Sequence, residues 1–219
     1  MKQIVLLIIS LLALYSCSSL NNNIAPGYTE AYKNIKSLFM IKENIEITPS
    51  LIEEIPYASA MLRIGKAAPG LIILEGYQRD EQFWISADNV YISIAKGRVV
   101  ATRGLPNNLI EYKSSFSLYE FQDGSFPKIF YSYYSYDLPE LINLKVRSSI
   151  SVREKEVVDL FNQQRTLLLI EEEISNDYLG WKETNKYWLD EEGFVWKSVQ
   201  NLSPKLPPFE IIITKKPAK

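Results

Sequence analysis

The chain has no histidine and one cysteine among its 219 residues, and these two shortages remove much familiar catalytic chemistry. Zinc sites built on imidazole or several thiolates, Ser-His-Asp triads and Cys-His dyads all require residues it does not have. One thiol cannot staple a secreted domain, whose cysteines usually pair as disulfides. Basic excess is missing too: 24 Lys and Arg against 26 Asp and Glu leave a formal net charge of −2, which gives nucleic acid no attracting field. No metal or cofactor is expected. A hydrolase working through two carboxylates is formally open, but Asp88, Asp190, Glu191 and Glu192 all fall where turns place solvated acids.

What is present begins with Met1-Lys2-Gln3 and an apolar stretch from Ile4 to Tyr15. A charged start followed by a stretch of that length has the pattern of an export signal. It is too short for a transmembrane helix, which needs about 20 apolar residues. Leu14-Tyr15-Ser16-Cys17 resembles the lipobox of bacterial lipoproteins, in which the thiol is acylated and the signal is cut before it. Tyr15 is larger than the residue usual there, and an ordinary signal peptide ending near a cysteine is the alternative. The lone cysteine favours lipidation at Cys17, because a free thiol in an oxidising compartment is a liability that acylation removes. Acyl chains such as palmitate would tie the protein to a membrane at about 0.8 kcal/mol per buried CH2. By analogy with enterobacterial lipoproteins, Ser18 in place of an aspartate predicts transport to the periplasmic face of the outer membrane. Residues 1–16 are thus expected to be the signal, 17–27 a lipidated polar tether, and 28–219 a single domain.

Within that domain Tyr28, Ala31, Tyr32, Ile35, Leu38 and Phe39 recur with a 3.6-residue period and predict a short amphipathic N-terminal helix to about Met40. Thr48-Pro49 supplies a cap and a proline suited to a second helical start, ending before Pro56. From Tyr57 onward the period is two. Strands are expected over 58–64, 71–77, 82–87, 90–95, 98–103, 109–114, 128–136, 144–155, 165–174, 184–189, 194–201 and 209–214. Lys96-Gly97 makes a tight hairpin turn, since glycine accepts positive φ at no steric cost. The expected fold is mainly β, an antiparallel meander forming a strongly curved sheet or incomplete barrel.

Several strands read as two-faced. Leu144, Val146, Ser148, Ile150 and Val152 alternate with Lys145, Arg147, Ser149, Ser151 and Arg153, so one side is packed and the other wet. In 98–103, Arg98, Val100 and Thr102 share a face. Either Arg98 pairs with a nearby carboxylate such as Asp88, or Arg98 and Thr102 belong to a ligand or partner face. In Tyr131-Ser132-Tyr133-Tyr134-Ser135-Tyr136, Tyr131 and Tyr133 point one way, Tyr134 and Tyr136 the other. One tyrosine pair could therefore line a glycan groove. The Trp188-to-Trp196 segment, with acidic turn residues and Gly193, reads as a hairpin whose aromatics pack across strands.

Residues 84–90 (WISADNV), 97–106 (GRVVATRGLP) and Asn108-Leu109 carry a family likeness. So do Tyr57-Ala58-Ser59-Ala60-Met61, residues 185–190 (NKYWLD), residues 193–198 (GFVWKS) and Ser203-Pro204. Together these resemble the YjbF/GfcB lipoproteins, whose genes belong to exopolysaccharide and group 4 capsule operons. The resemblance implies an all-β fold and an outer-membrane lipoprotein of a polysaccharide secretion pathway, without enzyme activity. Beyond the lipidated Cys17 it carries over no functional residue. The expected role is an interaction module that docks on other polysaccharide secretion proteins by a sheet face or edge. Direct polysaccharide binding and acyl-chain carriage stand as alternatives.

Overall fold

A threonine followed by a proline opens the first element of the computed structural model, which describes residues 47–118 and 129–218. Helix α1 (Pro49–Glu54) starts where the Thr48 hydroxyl accepts from the Leu51 amide at 3.3 Å, with proline where its missing N–H costs nothing, and it gives way to extended backbone at Ile55. The signal, the tether with Cys17, the helix expected over 28–40 and Lys128 all lie outside the described residues.

Every expected strand after that is present. They are β1 (Ser59–Ile64), β2 (Gly70–Gln78), β3 (Glu81–Ser86), β4 (Tyr91–Ala95), β5 (Arg98–Arg103) and β6 (Leu109–Ser114), then β7 (Ile129–Tyr136), β8 (Leu141–Leu160), β9 (Gln163–Asn176), β10 (Trp181–Leu189), β11 (Val195–Gln200) and β12 (Phe209–Lys215). Among the described residues they form one twelve-stranded antiparallel sheet in the order β5-β4-β3-β2-β1-β12-β11-β10-β9-β8-β7-β6. Chain neighbours pair, except β5 with β6, and β1 also pairs with β12, Leu62 opposite Ile211. The meander therefore rolls round until its first and last strands meet, and the two edges, β5 and β6, lie side by side. The result is a nearly closed barrel whose seam falls between two strands consecutive in sequence.

Inward-facing apolar residues of β1 to β5 and β12 fill one side of the interior, with Ala60, Ile72, Trp84, Ile92, Val99 and Phe209 almost fully enclosed. On the other side, Phe130, Ile150, Ile170 and Tyr187 form one cluster, and Leu109, Tyr134, Val146, Ile174 and Trp181 form another. β8 and β9 run further than their apolar pattern suggests, to Leu160 and from Gln163. A bulge between Val152 and Lys155 redirects the extension, whose Leu160 and Leu167 share a cluster with Trp188 and Trp196. The expected alternation in β8 holds to Ile150, but Val152, beside the bulge, is exposed.

Two devices keep the seam from zipping up. At one end of β5 the Leu109 amide donates to the Thr102 hydroxyl at 2.9 Å, a side-chain bond where a ladder bond would close the barrel. At the other end Gln200, wholly buried on β11, accepts from the Val99 amide at 3.0 Å and donates to the Gly97 carbonyl at 3.2 Å. A bulge opposite Ser93 and Ile94 lets β5 bend toward that glutamine. Gly97, at φ +79°, sits so close to Val195 that a Cβ would lie 2.2 Å from a methyl carbon. The start of β5 is thus drawn into the barrel and away from β6.

Candidate functional site

The inward positions of four neighbouring strands step from apolar to polar and back. β7 reads Phe130-Ser132-Tyr134, β8 reads Val146-Ser148-Ile150, and β9 reads Ile170-Glu172-Ile174, with Ser132, Ser148 and Glu172 at 0% exposure. Asn185 on β10 stands opposite Glu172 in the ladder. A polar layer therefore crosses the barrel between its two smaller apolar clusters. The period-two rule places Glu172 inside, because Ile170 and Ile174 flank it on the same face.

Arg98 enters this layer from β5. Its Nη1 donates to Glu172 Oε2 at 2.6 Å and to the Tyr187 hydroxyl at 2.9 Å. Asn185 Nδ2, at 3.1 Å, and the Tyr187 hydroxyl, at 3.2 Å, donate to the same carboxylate oxygen. The guanidinium carbon lies 5.2 Å from the Tyr112 ring centre and 5.1 Å from that of Tyr187, within the range of cation–π attraction. Tyr112 shares a 2.9 Å hydrogen bond with Ser132, and the Asn201 amide donates to Asn185 Oδ1 at 2.7 Å. Among the described residues, Arg98 Nη2 makes no hydrogen bond and is sealed from solvent.

The charge states follow from burial and from the pairing. Burial opposes ionisation of Glu172, but the Arg98 guanidinium and the hydrogen bonds from Arg98 and Asn185 outweigh it and hold the carboxyl below its usual 4.5. Burial likewise disfavours the Arg98 cation, yet Glu172 more than compensates and holds it protonated. Burial pushes the Tyr112, Tyr134 and Tyr187 hydroxyls above their ordinary value of 10, so they stay protonated and can donate. Because the folded Glu172 value is depressed, its stabilising contribution is present above 4.5 and lost as pH falls below that toward the folded value. Melting curves from pH 7 to 3 should therefore show wild type losing stability below about 4.5. Glu172→Gln should be less stable at neutral pH but flatter in acid. Parallel curves would assign the acid sensitivity to other carboxylates.

Arg98 thus pairs with Glu172, not with Asp88, which lies in the β3–β4 turn and accepts from the Ser86 hydroxyl. Arg98 and Thr102 are 5% and 8% exposed, so they belong to the interior and the seam rather than to an outer docking face. Thr102 is occupied by the Leu109 amide. Tyr131 and Tyr133 do share the outer face of β7, 43% and 39% exposed, in a row with Ile129 at 48%. The ladder sets Tyr131 opposite Arg147 and Tyr133 opposite Lys145, and Lys145 Nζ lies 3.9 Å from the Tyr131 ring centre. Tyr134 and Tyr136 are buried on the inner side. At the Trp188-to-Trp196 hairpin, Asp190 accepts from the Phe194 amide at 2.9 Å and from Trp196 Nε1 at 2.8 Å.

Where β5 parts from β6 the barrel wall opens into a cleft of about 570 Å³, with Arg98, Val100, Tyr112, Ser114 and Phe116 along its sides. Among the described residues, no three carboxylates converge as a metal ion would require.

Residues 32–213 match the family described as group 4 capsule polysaccharide lipoprotein gfcB, YjbF. The chain is 24% identical to the uncharacterised lipoprotein YjbF of Escherichia coli (strain K12) over 220 residues, 98% of each chain. It is 27% identical to the uncharacterised lipoprotein GfcB of the same organism over 73 residues, 33% of this chain and 34% of that one. Its fold resembles the crystal structure of the hypothetical lipoprotein YmcC from Escherichia coli K12, with a TM-score of 0.73, 21% identity, and coverage of 86% of this chain and 96% of that one.

Proposed function

The chain belongs to the family of group 4 capsule polysaccharide lipoproteins, and on that premise we propose that it is a non-enzymatic interaction module in capsule or exopolysaccharide assembly or export. In this reading lipid on Cys17 anchors it at the periplasmic face of the outer membrane, with the lipobox-like Leu14-to-Cys17 stretch and Ser18 in support.

The observation that carries the docking role is the outer face of β7. Ile129, Tyr131 and Tyr133 stand side by side at 39 to 48% exposure, on a strand whose inner residues are buried. Rows of exposed aromatic and aliphatic side chains on one sheet face are the material of protein contacts, where tyrosine is enriched. Lys145 and Arg147 border the row and favour an acidic surface on another polysaccharide secretion protein.

Both tyrosines point outward, so Tyr131→Ala with Tyr133→Ala should change folding stability by no more than about 1 kcal/mol. In a polymer-producing strain deleted for the native gene, the double variant should accumulate normally and lower surface polysaccharide at least fivefold. A photo-crosslinker at position 133 should capture a pathway component that one at Tyr178, which is 89% exposed, does not. Normal surface polysaccharide at normal protein level would overturn the docking role.

The second reading is direct polysaccharide contact on the same face. It is favoured by Lys145 lying over Tyr131, an aromatic plate beside a cation that an acidic sugar could use. Calorimetric titration of purified polymer, with heat lost in the Tyr131→Ala, Tyr133→Ala variant, would select it. Acyl-chain carriage has less support, since large side chains such as Trp84, Phe209 and Ile72 and the polar layer occupy the interior.

A further inference from the structure

We propose that the docking footprint runs from β7 across the outer face of β8, β9 and β10, and that its partner is a protein surface with carboxylates facing Arg147 and Lys182 and a cation facing Glu173. This rests on the docking role of Tyr131 and Tyr133, which it extends to a stated pattern of charge.

Strand pairing sets the groups in order. Tyr131 stands opposite Arg147, Arg147 opposite Ser175, and Ser175 opposite Lys182, which makes one outward rung over four strands. Neighbouring strands lie about 4.8 Å apart, so the rung is about 14 Å long and its two cations are about 10 Å apart. Ile129, Ser149, Glu173 and Thr184 form the next outward rung.

The charges on this face are unevenly spent. Glu171 is held by Arg153 at 2.7 Å and by Lys186 at 3.2 Å, and Lys145 lies over the Tyr131 ring. Arg147 and Lys182 are exposed and make no ion pair among the described residues, and neither does the exposed Glu173. From Lys145 to Arg153 on β8, and on the strands paired beside it, five outward cations stand against two carboxylates, in a chain whose formal net charge is −2.

Exposed charge by itself is ordinary solvated surface. Here it adjoins the row of Ile129, Tyr131 and Tyr133 without a break. An aromatic strip flanked by unspent charge has the composition of an interface, where the aromatics supply contact and the charges select the partner.

The interleaved acid decides among anions. A polymer with one sign of charge along its length, or an anionic membrane surface, would set negative charge against Glu173 wherever it met Arg147 and Lys182. A protein surface can reverse sign between rungs about 7 Å apart and match all three.

In a polymer-producing strain deleted for the native gene, Arg147→Glu with Lys182→Glu should accumulate normally, keep the wild-type urea midpoint and lower surface polysaccharide at least fivefold. A photo-crosslinker at Ser175, between the two cations, should capture the same component, identified by mass, as one at position 133. The double charge reversal should cut that yield at least fivefold. Glu173→Lys, which makes the face more positive, should cut it at least threefold, with no gain in binding to the strain's purified polymer or to phosphatidylglycerol vesicles. A crosslink yield unchanged or raised by Glu173→Lys would overturn the proposal, and tighter binding of that variant to polymer or vesicles would give the face to that ligand instead. Export and yield unmoved by Arg147→Glu with Lys182→Glu would overturn it as well. If Tyr131→Ala with Tyr133→Ala still lowered export in that case, the docking row on β7 would stand without its extension.

Discussion

Arg98→Met alone should destabilise the barrel by about 3–5 kcal/mol, whereas Arg98→Met together with Glu172→Gln should recover at least half of that loss. The asymmetry comes from burial. Glu172 is at 0% exposure, and removing its cation leaves a carboxylate with only Asn185 and Tyr187 to face it. Desolvating an unpaired charge is among the largest penalties a core can carry. Glutamine at 172 removes the charge and keeps an acceptor for both donors, while methionine fills much of the volume of arginine. For a domain of this size, 1 kcal/mol moves the melting temperature by roughly 2–4 °C, so the single variant should melt on the order of 10 °C lower. Urea unfolding of the four proteins of the cycle measures the coupling directly. A double variant as unstable as the sum of the singles would mean that the pair contributes nothing as a pair.

The same pair marks where sequence reading stops. The strands were legible because turn residues punctuate a period of two, and α1 because Thr48-Pro49 is a start signal with a physical mechanism. Glu172 was hidden in plain view: in Glu171-Glu172-Glu173 three acids look like solvated surface, and only their phase against Ile170 and Ile174 puts the middle one inside. Its partner lies 74 positions away, on a strand that only the rolling of the sheet brings across the interior. The far end of the β8–β9 hairpin, 156–160 and 163–164, is hard to read for the opposite reason. Glu156, Val157 and Asp159 are exposed, which breaks the polar-apolar alternation while the backbone ladder runs on to Leu160 and Gln163. The cleft had no sequence signal at all, since it depends on a bulge in β5 and on Gln200 reaching for Val99 and Gly97.

A polar layer in a barrel this apolar is a choice between stability and placement. An ion pair replaced by well-packed hydrophobic residues is often neutral or better for stability, so Arg98 and Glu172 are poorly explained as glue. They do explain position. Arg98 can reach Glu172 only if β5 crosses toward β9 and β10, the movement that parts β5 from β6. The ion pair and the opening in the wall are one arrangement seen from its two ends.

Cys17→Ser should abolish lipid anchoring at the outer membrane while leaving the barrel intact. In the lipoprotein reading the thiol sulfur is the atom that takes the diacylglyceryl group, and a hydroxyl at the same place is a far weaker nucleophile. Without that step the signal is not cut, so residues 1–16 stay on the chain. Two or more acyl chains at about 0.8 kcal/mol per CH2 are replaced by one short apolar segment. Labelled palmitate should mark the wild type and not the variant, and the variant should run as a precursor larger by the uncut signal. Fractionation should find it outside the outer membrane, and surface polysaccharide should fall as far as in a deletion strain. The far-ultraviolet spectrum and urea midpoint of the purified variant should match those of the wild type, because every described strand of the barrel lies beyond residue 58. Palmitate incorporation that persisted in Cys17→Ser would overturn the anchor, since the sequence offers no other thiol to carry it.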